Sequence, residues 1–198
     1  VMKKYVFIVC AMIWAATTLY AQKGYEKSLQ LDTKFGLGDF KQTYNVGITM
    51  TNGYRFSEHF MLGANVGIAF SEYVGSVDWS NILGTTIGYN RMEKGVLIPL
   101  SAIVKYNFAK KSVSPYISAN VGYTFNVKTY VGDSYGLFVM PAFGIDFDLD
   151  RCALFLQLNF DAQQTSYTDY NNALLLSKTD AWTDGWFKSL GLSLGICF

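Results

Sequence analysis

Charge is scarce in this chain. Only 16% of its 198 residues are charged, and the signs nearly cancel, with 16 Lys plus Arg against 15 Asp plus Glu. Such a sequence supplies no basic patch for nucleic acid, and it is a poor composition for a surface that faces water. Long hydrophobic runs are missing too. Hydrophobic residues make up 51%, yet beyond the N-terminal segment no stretch approaches the roughly 20 apolar residues that a spanning helix needs. A helical membrane protein is therefore excluded. Histidine occurs once, at His59, and cysteine three times; no metal and no cofactor is expected.

The N-terminus has the layout of a secretory signal peptide: Lys3 and Lys4, an apolar stretch from Tyr5 to about Leu19, then Tyr20, Ala21 and Gln22. Cleavage is expected after Ala21, although Leu19 stands where a small residue is usual. Residues 1–21 are then the signal peptide and residues 22–198 one domain. An exported, apolar-rich chain without a spanning helix can satisfy its backbone in lipid only as a closed barrel.

Period-two alternation supports that solution. From Ser189 to Phe198, Leu190, Leu192, Leu194, Ile196 and Phe198 share one face of a strand, and Ser189, Gly191, Ser193, Gly195 and Cys197 share the other. Eight such segments are expected, at about 28–39, 43–56, 60–71, 96–108, 114–127, 136–149, 152–164 and 186–198. Asn52 and Gly53 suggest a bulge in the second, and Pro99 is expected at the start of the fourth. Short connections at 57–59, 110–113 and 150–151 alternate with longer ones, above all 72–95 and 165–185, which carry Tyr73, Trp79, Tyr89, Tyr167, Tyr170 and Trp182. In outer-membrane barrels the short turns face the periplasm and the long loops face outside.

Volume decides which face looks outward. About 40 bulky side chains cannot fit inside eight strands, whose interior is only just wide enough for its own side chains. The opposite face carries Gly36, Gly47, Gly63, Gly122, Gly144, Gly191, Ser101, Ser118, Ser193, Asn65 and Asn120, which suit a crowded lumen. Phe56, Phe60, Phe108, Phe147 and Phe198 near the short-turn end, and Tyr44, Phe70, Phe125 and Trp186 near the other, form two interfacial girdles. The expected fold is all-β: an eight-stranded, antiparallel, closed transmembrane β-barrel.

With its Ala21–Gln22 junction, its eight alternating segments and its closing Leu192-Ser193-Leu194-Gly195-Ile196-Cys197-Phe198, the chain resembles the small eight-stranded outer-membrane barrels of the OmpA/OmpX type. It is particularly similar to the porin-like barrel-domain proteins of Bacteroidota. The resemblance implies a place in the outer membrane of a Gram-negative bacterium. It also implies that Leu192, Leu194, Ile196 and Phe198 form the sorting signal read by the barrel-insertion machinery. It does not specify an activity, because the family holds adhesins, structural anchors, narrow pores and lipid-modifying enzymes.

Candidate chemistry is sparse. Barrel hydrolases and proteases place a histidine near the outer rim, whereas His59 falls on a short turn; no catalytic residue is expected, and the protein reads as not an enzyme. Asp146, Asp148 and Asp150 alternate like calcium ligands but lack the glycine turn and the bidentate Glu. The coherent group is the lumen set Asp32, Lys34, Arg55, Lys105, Asp146, Asp148 and Asp161, three cations and four anions with inward parity. Charges in a narrow lumen are paired or hydrated, and the mixed signs favour a self-neutralising plug over an ion-selective lining. Asp32 is expected beside Arg55, with Lys105 and Asp146 at similar depth, all in one network. Opposed parities argue against a Cys152–Cys197 disulfide. The expected role is structural or adhesive, through the outer loops, in a monomer whose partners are outer-membrane lipid, lipopolysaccharide, the insertion machinery and an unidentified extracellular ligand. A narrow pore is the alternative, and an enzyme acting on envelope lipid the third reading.

Overall fold

A computed structural model describes residues 24–37, 43–80, 86–109, 111–128, 134–149, 152–168 and 182–198. The segment expected as a signal peptide lies outside the described residues. Eight strands form: β1 Tyr25–Gly36, β2 Thr43–Arg55, β3 Phe60–Ser80, β4 Thr86–Asn107, β5 Val113–Lys128, β6 Ser134–Asp148, β7 Ala153–Thr168 and β8 Trp182–Cys197. Each pairs antiparallel with the next, and β8 returns to β1 to close the barrel, with Leu29 opposite Ile196 and Phe35 opposite Leu190. Closure leaves no edge strand in the barrel wall, the condition for β-structure in hydrocarbon.

The barrel is apolar outside and polar inside. Leu31, Ile48, Leu62, Val121, Phe143 and Leu194 stand exposed on the outer wall, while Asn120, Asn159, Asp161, Ser189 and Ser193 are almost wholly buried in the lumen. In water such a wall would be an aggregation surface; in lipid it is the solvated one. Aromatic side chains cluster where the strands leave the apolar band: Tyr54 packs edge-on against Phe56 at 5.0 Å, and Tyr106 against Phe108 at 5.6 Å. At the other end outward-facing Tyr44, Glu72 and Lys94 lie side by side in register across β2, β3 and β4 and bond to one another. The Lys94 ammonium, with the Tyr44 hydroxyl, holds the Glu72 carboxyl below its ordinary range. This exposed ion pair marks the upper limit of the apolar wall.

Three expectations are corrected. Residues 72–95 are not a long loop: β3 and β4 run 21 and 22 residues, pairing from Phe60–Tyr106 up to Ser80–Thr86. A membrane-crossing strand needs about 9–11 residues, so this hairpin continues well past the bilayer. Asn52 and Gly53 form no bulge, and their pairing with β1 and β3 is uninterrupted. Gly53 leaves room for the Met61 side chain, whose Sδ would lie 2.6 Å from a Cβ there. Pro99 sits inside β4, paired with Thr124 of β5. The β3–β4 ladder has no pair at Ile98 or Pro99, opposite Gly67 and Ile68, since proline has no N–H to give.

Candidate functional site

The lumen is filled by two polar clusters joined through one tyrosine. At the short-turn end Lys105 Nζ lies 3.0 and 2.9 Å from the Asp146 carboxylate oxygens and 3.7 Å from Glu26 Oε1. Arg55 donates from Nε to Glu26 Oε2 at 2.8 Å, again from Nη2 to the same oxygen, and from Nη1 to Asn107 Oδ1 at 3.0 Å. Asn107 Nδ2 donates in turn to Asp146 Oδ2 at 2.7 Å. Two cations and two anions thus close a ring. Its open side is a vestibule of about 440 Å³, where Asp148 stands exposed.

Tyr116 is the link upward. The Lys105 ammonium sits 4.2 Å from its ring centroid, and its hydroxyl donates to Gln157 Oε1 at 2.9 Å. The chain continues from Gln157 to Asn159, from Asn159 Nδ2 to Ser193 Oγ at 2.5 Å, and from Ser193 to Asp32 Oδ1. Asp32 also accepts from Thr49 Oγ1 at 2.6 Å and Gln30 Nε2 at 2.9 Å. Lys34 Nζ pairs with Asp161 Oδ2 at 2.6 Å. Near this second cluster a cavity of only about 40 Å³ remains between Asp32, Lys34, Asn45 and Gln163.

The expected pairing of Asp32 with Arg55 is wrong. Arg55 is held by Glu26, while Asp32 lies higher, among hydroxyl and amide groups. Glu26 escaped sequence reading because β1 begins at Tyr25, three residues before the expected start; continuing the parity of Ser28, Gln30 and Asp32 by one step would have placed it inward. Tyr116, Phe155 and Met61 are also deeply buried in the lumen, where small and charged groups were expected. Each fits because a neighbouring strand offers glycine: a Cβ at Gly144 would overlap the Tyr116 ring, and one at Gly195 the Phe155 ring.

His59 accepts a structural part on its turn. Its Nδ1 lies 2.7 Å from Asn107 O and its ring stacks on Tyr106. Cys152 and Cys197 are free thiols; Ala153, not Cys152, is the register partner of Cys197. Among the described residues no group of three or more His, Cys, Asp or Glu side chains could hold a metal ion. Leu192, Leu194, Ile196 and Phe198 all face outward from β8 and its end. Asp150 lies outside the described residues.

A closed eight-stranded barrel with an apolar wall and a polar, packed lumen defines a small transmembrane barrel of the outer-membrane class. Solved structures carry the same architecture. Neisserial surface protein A is 13% identical, with 88% of this chain and 96% of that one covered at a TM-score of 0.50. OprG from Pseudomonas aeruginosa is 14% identical over 87% and 95%, at 0.45, and the N-terminal barrel domain of OprF from the same organism 17% over 87% and 97%, at 0.42. The first likeness speaks to fold alone, the other two carry no argument, and none carries the narrower resemblance to Bacteroidota proteins. No protein-family model and no curated protein matches the sequence.

Proposed function

We propose that this protein is a plugged barrel in the outer membrane of a Gram-negative bacterium, serving envelope structure or contact with the outside through its loop end rather than transport or catalysis. One observation carries this reading: Lys105 of the vestibule ring lies against the Tyr116 ring, and hydrogen bonds run from the Tyr116 hydroxyl through Gln157, Asn159 and Ser193 to Asp32. A path for ions would require those bonds to open and buried charges to separate, which is costly. Purified, refolded protein in a planar bilayer is expected to show no steady conductance; steady open-channel current would overturn the plug.

A narrow pore is the second reading, and the upper lumen favours it. Asp161 Oδ1, Asn65 Oδ1, Gln163 Nε2 and Ser189 Oγ are buried there without partners. Buried polar groups of that kind take water, so hydration of this half is part of the proposal. Ion flow would still have to cross the Tyr116 level.

Orientation has its own test. In a Cys152→Ser, Cys197→Ser background, His59→Cys should react with a membrane-impermeant maleimide only after the outer membrane is opened. Labelling on intact cells would place the short turns outside.

A further inference from the structure

The outer wall between β4 and β8 has a groove of about 590 Å³. Its floor follows one cross-strand row: Val104 pairs with Ala119, Ala119 with Pro141, and Phe160 with Leu190. The β6–β7 ladder has no pair at Met140 or Pro141, although Ala142 opposite Asn159 keeps the register and brings Phe160 alongside Pro141. Small side chains at Ala119 and Pro141 lower the floor, and Tyr106, Phe143 and Leu158 raise one bank. Ser118 and Asn159 border the groove but are buried, on the lumen parity of their strands. Five strands span four inter-strand spacings, roughly 19 Å, which is long enough for an extended acyl chain.

The groove slants. Val104 lies near the Asn107 end of β4, at the short-turn rim, whereas Leu190 lies halfway along β8. The next outward positions on β8 are Lys188 and Trp186, both exposed. Lys188 has no ion pair among the described residues, in contrast with Lys94 across the barrel, which is neutralised by Glu72. A lysine on a lipid-facing wall extends to the interface to find water or an anion, and Trp186 marks that interface. A trench for an alkyl chain therefore ends, in the leaflet of the long loops, at a cation that no described residue neutralises.

We propose that this groove docks one acyl chain of a phosphate-bearing lipid of the outer leaflet, lipopolysaccharide in a Gram-negative bacterium, with Lys188 receiving its phosphate. The inference rests on the outer-membrane reading and its orientation, and is independent of whether the lumen conducts. The test is native mass spectrometry of the refolded full chain in mild detergent with diphosphorylated lipid A added. One lipid A per monomer is expected. Lys188→Gln should lower the bound fraction about tenfold, the scale of one charge-assisted contact, and Ala119→Phe, which fills the floor from the lipid side, should do the same. Folding of each variant is read separately from its heat-dependent gel mobility. Unchanged binding by both folded variants, equal retention of phosphatidylcholine, or a dimer dissolved by Ala119→Phe would overturn the proposal. Failure of the wild type to insert into vesicles would instead sink the membrane reading on which it rests.

Discussion

Lys105→Met is expected to destabilise the folded barrel by about 3–5 kcal/mol, the cost of leaving buried charge without its partner. Methionine keeps most of the volume, so the loss is electrostatic. Lys105 is buried, with Asp146 and Glu26 as the carboxylates it serves. Arg55 still holds Glu26 in the variant, whereas among the described residues Asp146 keeps only the Asn107 amide. The second substitution that removes the stranded charge, Asp146→Asn, should therefore restore most of the stability when combined with Lys105→Met. Urea unfolding in lipid vesicles, followed by tryptophan fluorescence, measures both. A single variant within 1 kcal/mol of wild type, or a double variant no better than the single, would show that the ring contributes little.

Tyr116→Ala should lower stability to a similar extent and raise permeability as well. The side chain is 1% exposed and fills the lumen opposite Gly144. Truncating a buried aromatic costs about 3–5 kcal/mol through lost burial and the cavity left behind. The same change breaks the bond to Gln157 and removes the ring beneath which Lys105 lies, so the vestibule gains a way to the upper cluster. Conductance above the wild-type level is the expected result in a planar bilayer. Tyr116→Phe separates the two contributions: it keeps the ring and loses only the hydroxyl, and should stay closed. A closed Tyr116→Ala barrel would mean that the seal lies elsewhere.

The two halves of the site differed in how much of them was visible beforehand. Lys105 and Asp146 were placed together because both close long alternating runs whose parity is unambiguous, and each stands two residues from the short-turn end of its strand, β4 or β6, so they share depth. Arg55 was assigned the wrong carboxylate for the opposite reason. Glu26 stands at the very start of β1, where alternation has too few residues to register, and so a frayed boundary decided the partner of a buried charge. Asp32 was correctly turned inward, but its depth depends on the stagger between β1 and β2, set by the pairing of Asp32 with Gly47 and Glu26 with Gly53. Likewise Tyr73, Trp79 and Tyr89 looked like loop residues because residues 72–95 lose the strict apolar rhythm. Beyond the bilayer a strand has no lipid face to impose that rhythm, yet its ladder can continue.

The order of hydrophobic and small residues along the chain determined that the protein is β, that it has eight strands, that their large faces look outward, and that the wall meets lipid. Each of these depends only on the period-two geometry of a strand and on volume, which are local or additive properties. What fills the barrel was decided by closure. Gly144 becomes the seat of Tyr116, and Gly195 that of Phe155, only when β5 lies against β6 and β7 against β8 in one particular register. The slanted groove ending at Lys188 likewise exists only once five strands stand side by side. Register and stagger are relations between strands, and a one-residue slip would exchange wall for lumen; tertiary pairing therefore settled what the alternation left open.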